Sequence, residues 1–189
     1  MNIVQIGCHD GNDHVFDYVK NNSEKIDKIF LIEPIEEKIQ ELKHTYNAFA
    51  NVAFFNLAIT ESNEKKETSF FIPLDLQESQ TSSVNKDHLA RHYNGAVKEI
   101  TISCTTLNNF FALHNLKTIN RLYIDAEGLD CKIVRSIDFD KFNIPYICYE
   151  HIHSDGACVF SSYGIETAAY LGSLGYRLHE HGMNTVAEK

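Results

Sequence analysis

Two stretches of this chain place chemically active residue types at close spacing. In QIGCHDGND (residues 5–13), Gly7 and Gly11 bracket Cys8, His9 and Asp10. Glycine in such a turn permits positive φ and lets a ligand approach the backbone closely. The spacing is G-x-x-x-G, neither the G-x-G-x-x-G fingerprint nor a P-loop, which disfavours a pyrophosphate cradle. Glu33 closes KIFLIE about 22 residues after Gly11, near where dinucleotide-binding folds set an acid on ribose hydroxyls. A carboxylate accepts from both hydroxyls at once. Turn and acid together favour a nucleoside. The competing reading is a plain chain reversal, with Glu33 serving only helix entry before Pro34.

The second stretch is split. YIDAEGLD sets Asp125, Glu127, Gly128 and Asp130 at one strand end, and ICYEHIHSD sets Glu150, His151 and His153 at the next. Carboxylates and imidazole bind and deprotonate hydroxyl acceptors, and crowded carboxylates raise one another's pKa. His151 is the preferred base because imidazole titrates nearest neutrality, with Asp125 second. His153, His9 and His92 read as polar surface or orienting residues. Glu127 and Asp130 are equally compatible with capping the next helix. No short metal-binding pattern is present, so no metal is expected.

These residues need a scaffold that gathers strand ends. NIVQIG, KIFLIE and VAFFNLAI (52–59) read as strands, as do KEITISC, RLYID and PYICYEH. Helices are expected at NDHVFDYVKNN, capped by Asn12, with Val15, Phe16 and Val19 on one face. Another starts at Pro34, with Glu36 and Glu37 in its first turn and Ile35, Ile39, Leu42 and Tyr46 inward. TTLNNFFALHNL is capped by Thr105 or Thr106, LDCKIVRSI turns Leu129, Ile133 and Val134 inward, and YGIETAAYLGSLG closes at Gly175. YRLHEHG and NTVAEK form a terminal hairpin. The alternation implies an α/β fold, a mostly parallel sheet with helices on both faces, whose ligands bind at the strands' carboxyl ends. One domain over residues 1–189 is expected. Residues 61–96 break the rhythm as an insertion, read either as a lid with an extra strand at TSFFIPL or as a surface loop.

The formal charge of −9 over 189 residues and the scattered Lys and Arg argue against nucleic acid as a partner. No apolar run spans a bilayer and no signal peptide is evident, so a cytoplasmic protein that does not enter the membrane is expected. Cys8, Cys104, Cys131, Cys148 and Cys158 are odd in number and widely spaced, as reduced thiols are.

With these features in place, the chain resembles the FkbM family of S-adenosylmethionine-dependent methyltransferases. QIGCHDGND is similar to its first motif, LIEP to its second-strand acid and NLAIT to its third-strand segment. TSSV resembles a small-residue patch in its insertion, and TTLNNFF, YIDAEGLD and ICYEH match its later motifs in order. The resemblance implies a Rossmann-like class I methyltransferase fold and S-adenosylmethionine as cofactor. It puts Gly7, His9, Asp10 and Gly11 against the methionine part, Glu33 with Pro34 at the ribose, and Ala58 at the adenine. Ser82 and Ser83 would close over the cofactor, while Asp125, Glu127 and Glu150 face the reacting groups. Asn108 stands where the family often has Asp, read as a change in helix capping. Many members carry structure ahead of the first strand. This chain starts on that strand, as a minimal copy, through a misplaced start, or with a cover borrowed from a partner such as a second copy.

The implied activity is O-methylation of a small acceptor such as a sugar or glycan unit or a natural product. The alternatives are a non-catalytic nucleoside- or S-adenosylmethionine-binding module of the same fold and, disfavoured by the missing phosphate motif, an enzyme with another nucleotide cofactor.

Overall fold

The computed structural model describes residues 1–152 and 161–189; His153 and Cys158 lie outside the described residues. The first half of the chain lays down β1 (Asn2–Ile6), α1 (His14–Asn22), β2 (Lys28–Ile32), α2 (Glu36–Thr45) and β3 (Val52–Phe55). The second half supplies α4 (Leu107–Leu113), β7 (Arg121–Ile124), α5 (Asp130–Ser136), β8 (Tyr146–Glu150), α6 (Ser162–Ser173), β9 (Arg177–His181) and β10 (Asn184–Glu188). Between them, β4 (Ala58–Ile59), β5 (Glu67–Pro73), α3 (Lys86–His92) and β6 (Val97–Thr105) build the insertion.

Among the described residues, the main sheet has seven strands in the order β3-β2-β1-β7-β8-β10-β9. The first five run parallel and the last two close antiparallel. Strand alternation divides the core. Val4, Ile6, Phe30 and Ile32 face the layer of α4, α5 and α6, where Phe110, Phe111, Ile133, Val134 and Leu171 are buried. Ile3, Ile29 and Leu31 face α1 and α2, against Val15, Val19, Ile39, Leu42 and Tyr46. From β1 the chain first winds outward through β2 to β3, then crosses over to β7 on β1's other side. Strand order therefore reverses between β1 and β7, which opens a crevice at their carboxyl ends.

Several local details differ from the sequence expectation. Asp13, not Asn12, caps α1, accepting from the Val15 and Phe16 amides. Its other oxygen accepts from Gln5 Nε2 at 2.6 Å, so this cap is also braced by the strand beneath. Thr106 caps α4. Asn108 caps nothing: its amide donates to Ser136 carbonyl at 2.7 Å and accepts from Asp138 N–H at 2.9 Å. A carboxylate could not make both bonds.

VAFFNLAI is not one strand. Asn56 donates to the Glu33 and Pro34 carbonyls at 3.1 and 2.9 Å, pulling the chain out of the main sheet. Ala58–Ile59 then pairs with Cys104–Thr105 in a second sheet, ordered β4-β6-β5. The extra strand at TSFFIPL is β5, antiparallel to β6. Among the described residues, Cys8, Cys104 and Cys148 are free thiols. Among the described residues, no helix is long and apolar enough to cross a membrane.

Gly7 follows β1 with φ +72°, and a Cβ there would lie 1.7 Å from the Asp125 carbonyl oxygen. Gly7→Ala is therefore expected to destabilise the fold by about 3 kcal/mol, from backbone strain and displacement of the neighbouring strand end. Urea unfolding checks this; a loss below about 1 kcal/mol would show that the two ends can part freely.

Candidate active site

The carboxyl ends of β2, β1, β7 and β8 and the β9–β10 turn surround a cavity of about 600 Å³. Its first wall is the loop after β1. Gly7, His9 and Gly11 all take positive φ, and for His9 that conformation is strained. Two contacts hold it there. Glu33 Oε2 accepts from the His9 amide at 2.8 Å, and His9 Nε2 lies 3.0 Å from Ser79 Oγ in the insertion. Gly11 serves a different need: a Cβ would come within 2.5 Å of Leu42 on α2.

Glu33 sits just beyond β2, buried, with Oε1 accepting from the Ile35 amide at 2.8 Å. Each carboxylate oxygen can accept twice, so both keep capacity for a ligand hydroxyl. Apolar Ile35, Ala58 and Ile59 line the cavity alongside it.

The loop after β7 forms the floor. Asp130 is fully buried and accepts from the Ala126 and Gly128 amides at 2.8 and 3.2 Å. It shapes the arch that presents Asp125 and Glu127, which resolves the capping alternative for Asp130. Glu127 does not cap the helix. Its φ is +47°, its carbonyl accepts from Ser83 Oγ at 2.6 Å, and its Oε2 lies 2.9 Å from His88 Nε2. His88, on α3, has 0% exposure, and a Cβ on Gly128 would come within 2.9 Å of its ring. The Glu-Gly pair is thus where the insertion docks. From that docked position Phe70, Ser79, Ser82 and His92 reach the cavity.

The structure brings most of the expected residues together: Gly7, His9, Asp10, Glu33, Pro34, Ala58, Ser82, Asp125, Glu127 and Glu150 all line this cavity. Three are placed elsewhere. Gly11 packs on α2, and the Ser83 hydroxyl is turned to the Glu127 carbonyl and the Asn85 amide. His151 is buried with Nδ1 3.0 Å from Thr185 Oγ1 on β10 and is not among the described residues that line the cavity. Sequence reasoning missed Asp13, having named only Asn12 as the cap, and Met183, which the hairpin turn brings to the cavity. His92 is also a wall residue. No group of three metal-ligating side chains occurs among the described residues.

Burial governs the electrostatics. It pushes Glu33 up to about 7, against the pull of the Ile35 and His9 amides. Asp125 opens into the cavity, yet the protein around it, then Glu127 and Asp13, push it up to about 7. Glu127 rises to about 7 and Glu150 to about 9, burial first and, for Glu150, neighbouring carboxylates next. Burial also lowers His88 to about 4 and shifts His9, His92 and His151 downward. The site is a set of acids whose pKa values are all raised, with burial the largest cause for each.

A family model described as "Methyltransferase FkbM domain" matches residues 5–178. The chain belongs to the FkbM methyltransferase family. Among solved structures it is similar to a methyltransferase FkbM from Methylobacillus flagellatus KT, at 12% identity and TM-score 0.59 over all of this chain. This FkbM chain spans only 43% of that protein's length. It is also similar to a chain of a fibrillarin/Nop5p complex, at 8% identity and TM-score 0.51, covering 98% of this chain and 70% of that one. At these identities the likeness is one of fold. No curated protein sequence matches the chain.

Two expectations arise from the site of this FkbM chain. A carboxyl whose folded pKa is raised contributes stability that is complete below its ordinary value and lost as pH rises through the folded one. Glu33, Asp125, Glu127 and Glu150 set that loss between 3.8, the ordinary value for Asp125, and about 9, the raised value for Glu150. His88, lowered from 6.5, removes stability as pH falls toward 4. The urea midpoint of the ligand-free protein should be highest near about pH 4 and decline toward pH 9; a midpoint climbing between about pH 5 and 9 contradicts the burial of these acids. Second, His88→Ala should cost about 2 kcal/mol by stripping Glu127 of its partner, and should speed proteolysis within residues 76–92. Cleavage at the parent rate would show that the insertion is held by other contacts.

Proposed function

We propose that this chain is an S-adenosylmethionine-dependent O-methyltransferase acting on a hydroxyl of a small acceptor, such as a sugar or glycan unit or a natural product. The observation that carries the reading is the row of acids along the reversal point of the sheet, Glu33, Asp125 and Glu150, at the ends of β2, β7 and β8 around one cavity. The donor set fits the cofactor. Glu33 has acceptor capacity for two ribose hydroxyls, with Ile35, Ala58 and Ile59 beside it for a flat base. The glycine-bounded loop takes the amino-acid tail, and the surplus of carboxylates suits a ligand bearing sulfonium and ammonium charge.

When bound, the cofactor supplies an electrophilic methyl group. The chain's own residues align an acceptor hydroxyl with it, a role that accounts for much of the acceleration in such transfers. Asp125 is the base this geometry favours, in place of His151: it reaches the cavity and titrates near 7, where a carboxylate is basic enough to take the hydroxyl proton at neutral pH. Glu127 holds the insertion, and His9 ties it to the first loop through Ser79. Insertion and loop then close over the cofactor as a lid, excluding water from the reacting centre.

Calorimetry with S-adenosylmethionine and S-adenosylhomocysteine tests the cofactor, and methyl transfer to candidate hydroxylated acceptors tests turnover. Glu33→Ala should weaken cofactor binding about thirtyfold, or about 2 kcal/mol. Affinity unchanged in a variant that folds would place the ribose elsewhere. Tight binding without transfer to any acceptor would instead favour a binding module.

A further inference from the structure

The cavity is longer than the part assigned to the cofactor. Its lining runs from Glu33 after β2, past Gly7 after β1 and Asp125 after β7, to Glu150 at the end of β8 and Met183 in the turn into β10. These strands are consecutive neighbours, so four inter-strand steps separate its ends, about 19 Å at about 4.8 Å per step. A nucleoside on Glu33 with its tail over the glycine loop occupies the β2 and β1 end. The β8 and β10 end remains.

That end has its own chemistry. Met183 is 52% exposed, an unusual setting for a large apolar side chain that also walls a cavity, and its thioether is adaptable enough to lie against varied surfaces. The hairpin fixes it there: the His151 amide donates to the Met183 carbonyl at 3.0 Å, and Asn184 pairs with Glu150 across the ladder. Asp125, Glu127 and Glu150 line the same cavity. The described lining residues include no Lys or Arg; Lys38, whose charge reaches Glu33, is engaged by Glu41 at 2.9 Å.

Resting on the methyl-transfer reading above, we infer that the Met183–Glu150 end is the acceptor subsite, and that it selects uncharged hydroxylated acceptors over anionic ones. Carboxylate or phosphate near the reacting hydroxyl would enter a space lined by Asp125, Glu127 and Glu150 and, among the described residues, by no Lys or Arg. Like-charge juxtaposition of this kind excludes a partner at a cost of several kcal/mol. A neutral sugar ring meets no such penalty: its hydroxyls donate to the carboxylates, while its C–H face rests on Met183.

The chain has two methionines, Met1 and Met183, so ¹³C-methyl-methionine labelling gives one resonance at this subsite and one distant control. The full chain is loaded with S-adenosylhomocysteine at pH 8, loading is verified by calorimetry, and methyl glucoside or its 6-carboxylate counterpart is titrated in. The Met183 resonance is expected to move with the glucoside while Met1 stays fixed, and the carboxylate sugar should bind at least tenfold more weakly. Asp125→Asn should narrow that ratio. Equal or tighter binding of the carboxylate sugar overturns the inference, as does a Met183 resonance indifferent to both sugars or a ratio unchanged in Asp125→Asn. Failure to load S-adenosylhomocysteine is a separate result, which overturns the cofactor reading itself.

Discussion

The ends of β1 and β7 meet backbone to backbone at Gly7. The Asp125 amide donates to the Ile6 carbonyl at 3.1 Å, the Gly7 amide donates to the Ile32 carbonyl at 3.0 Å, and no side chain fits between Gly7 and Asp125. Three strand ends are thereby sewn together where strand order reverses. The seam fixes the separation between the acid that follows β2 and the acid that follows β7. Positioning of reacting groups demands such rigidity, and here it comes from main-chain contacts rather than from long side chains.

A second level of organisation is laid over that seam. The insertion has its own small sheet, yet its contacts with the cavity walls fall on the loops after β1 and β7. His88 and Ser83 grip Glu127, and Ser79 meets His9. Two of the gripped residues, His9 and Glu127, have positive φ without being glycine. Strained backbone persists only where surrounding contacts over-determine it, and in both places a contact from the insertion is among those that do so. The shape of the loops after β1 and β7 and the docking of the insertion are consequently one structural problem with one solution.

Much of this was legible in the sequence. Glycine at Gly7, an acid closing the second strand and another closing RLYID are features of local spacing, and local spacing survives folding. What escaped depends on partners distant in the chain. Asn12 and Asp13 are equally good caps until Gln5 is brought beneath one of them. Asn108 looks like a cap until Ser136 and Asp138 arrive beside it. VAFFNLAI has the pattern of a single strand, and only the pull of Asn56 on the Glu33 loop divides it. His151 and Glu150 are adjacent in sequence and share a strand end, but period-two alternation sends them to different surroundings. The role of Glu127 was hidden because its partner lies 39 residues upstream in a polar stretch without periodicity.

The two margins of the main sheet are handled differently. β3, on one side, has only four residues and offers a stranger little ladder to extend. β9, on the other, carries Arg177, His179, Glu180 and His181 exposed along its length. Outward charges on a border strand discourage edge-to-edge stacking into aggregates. The terminal hairpin therefore also helps to keep copies of the chain from polymerising through their sheets.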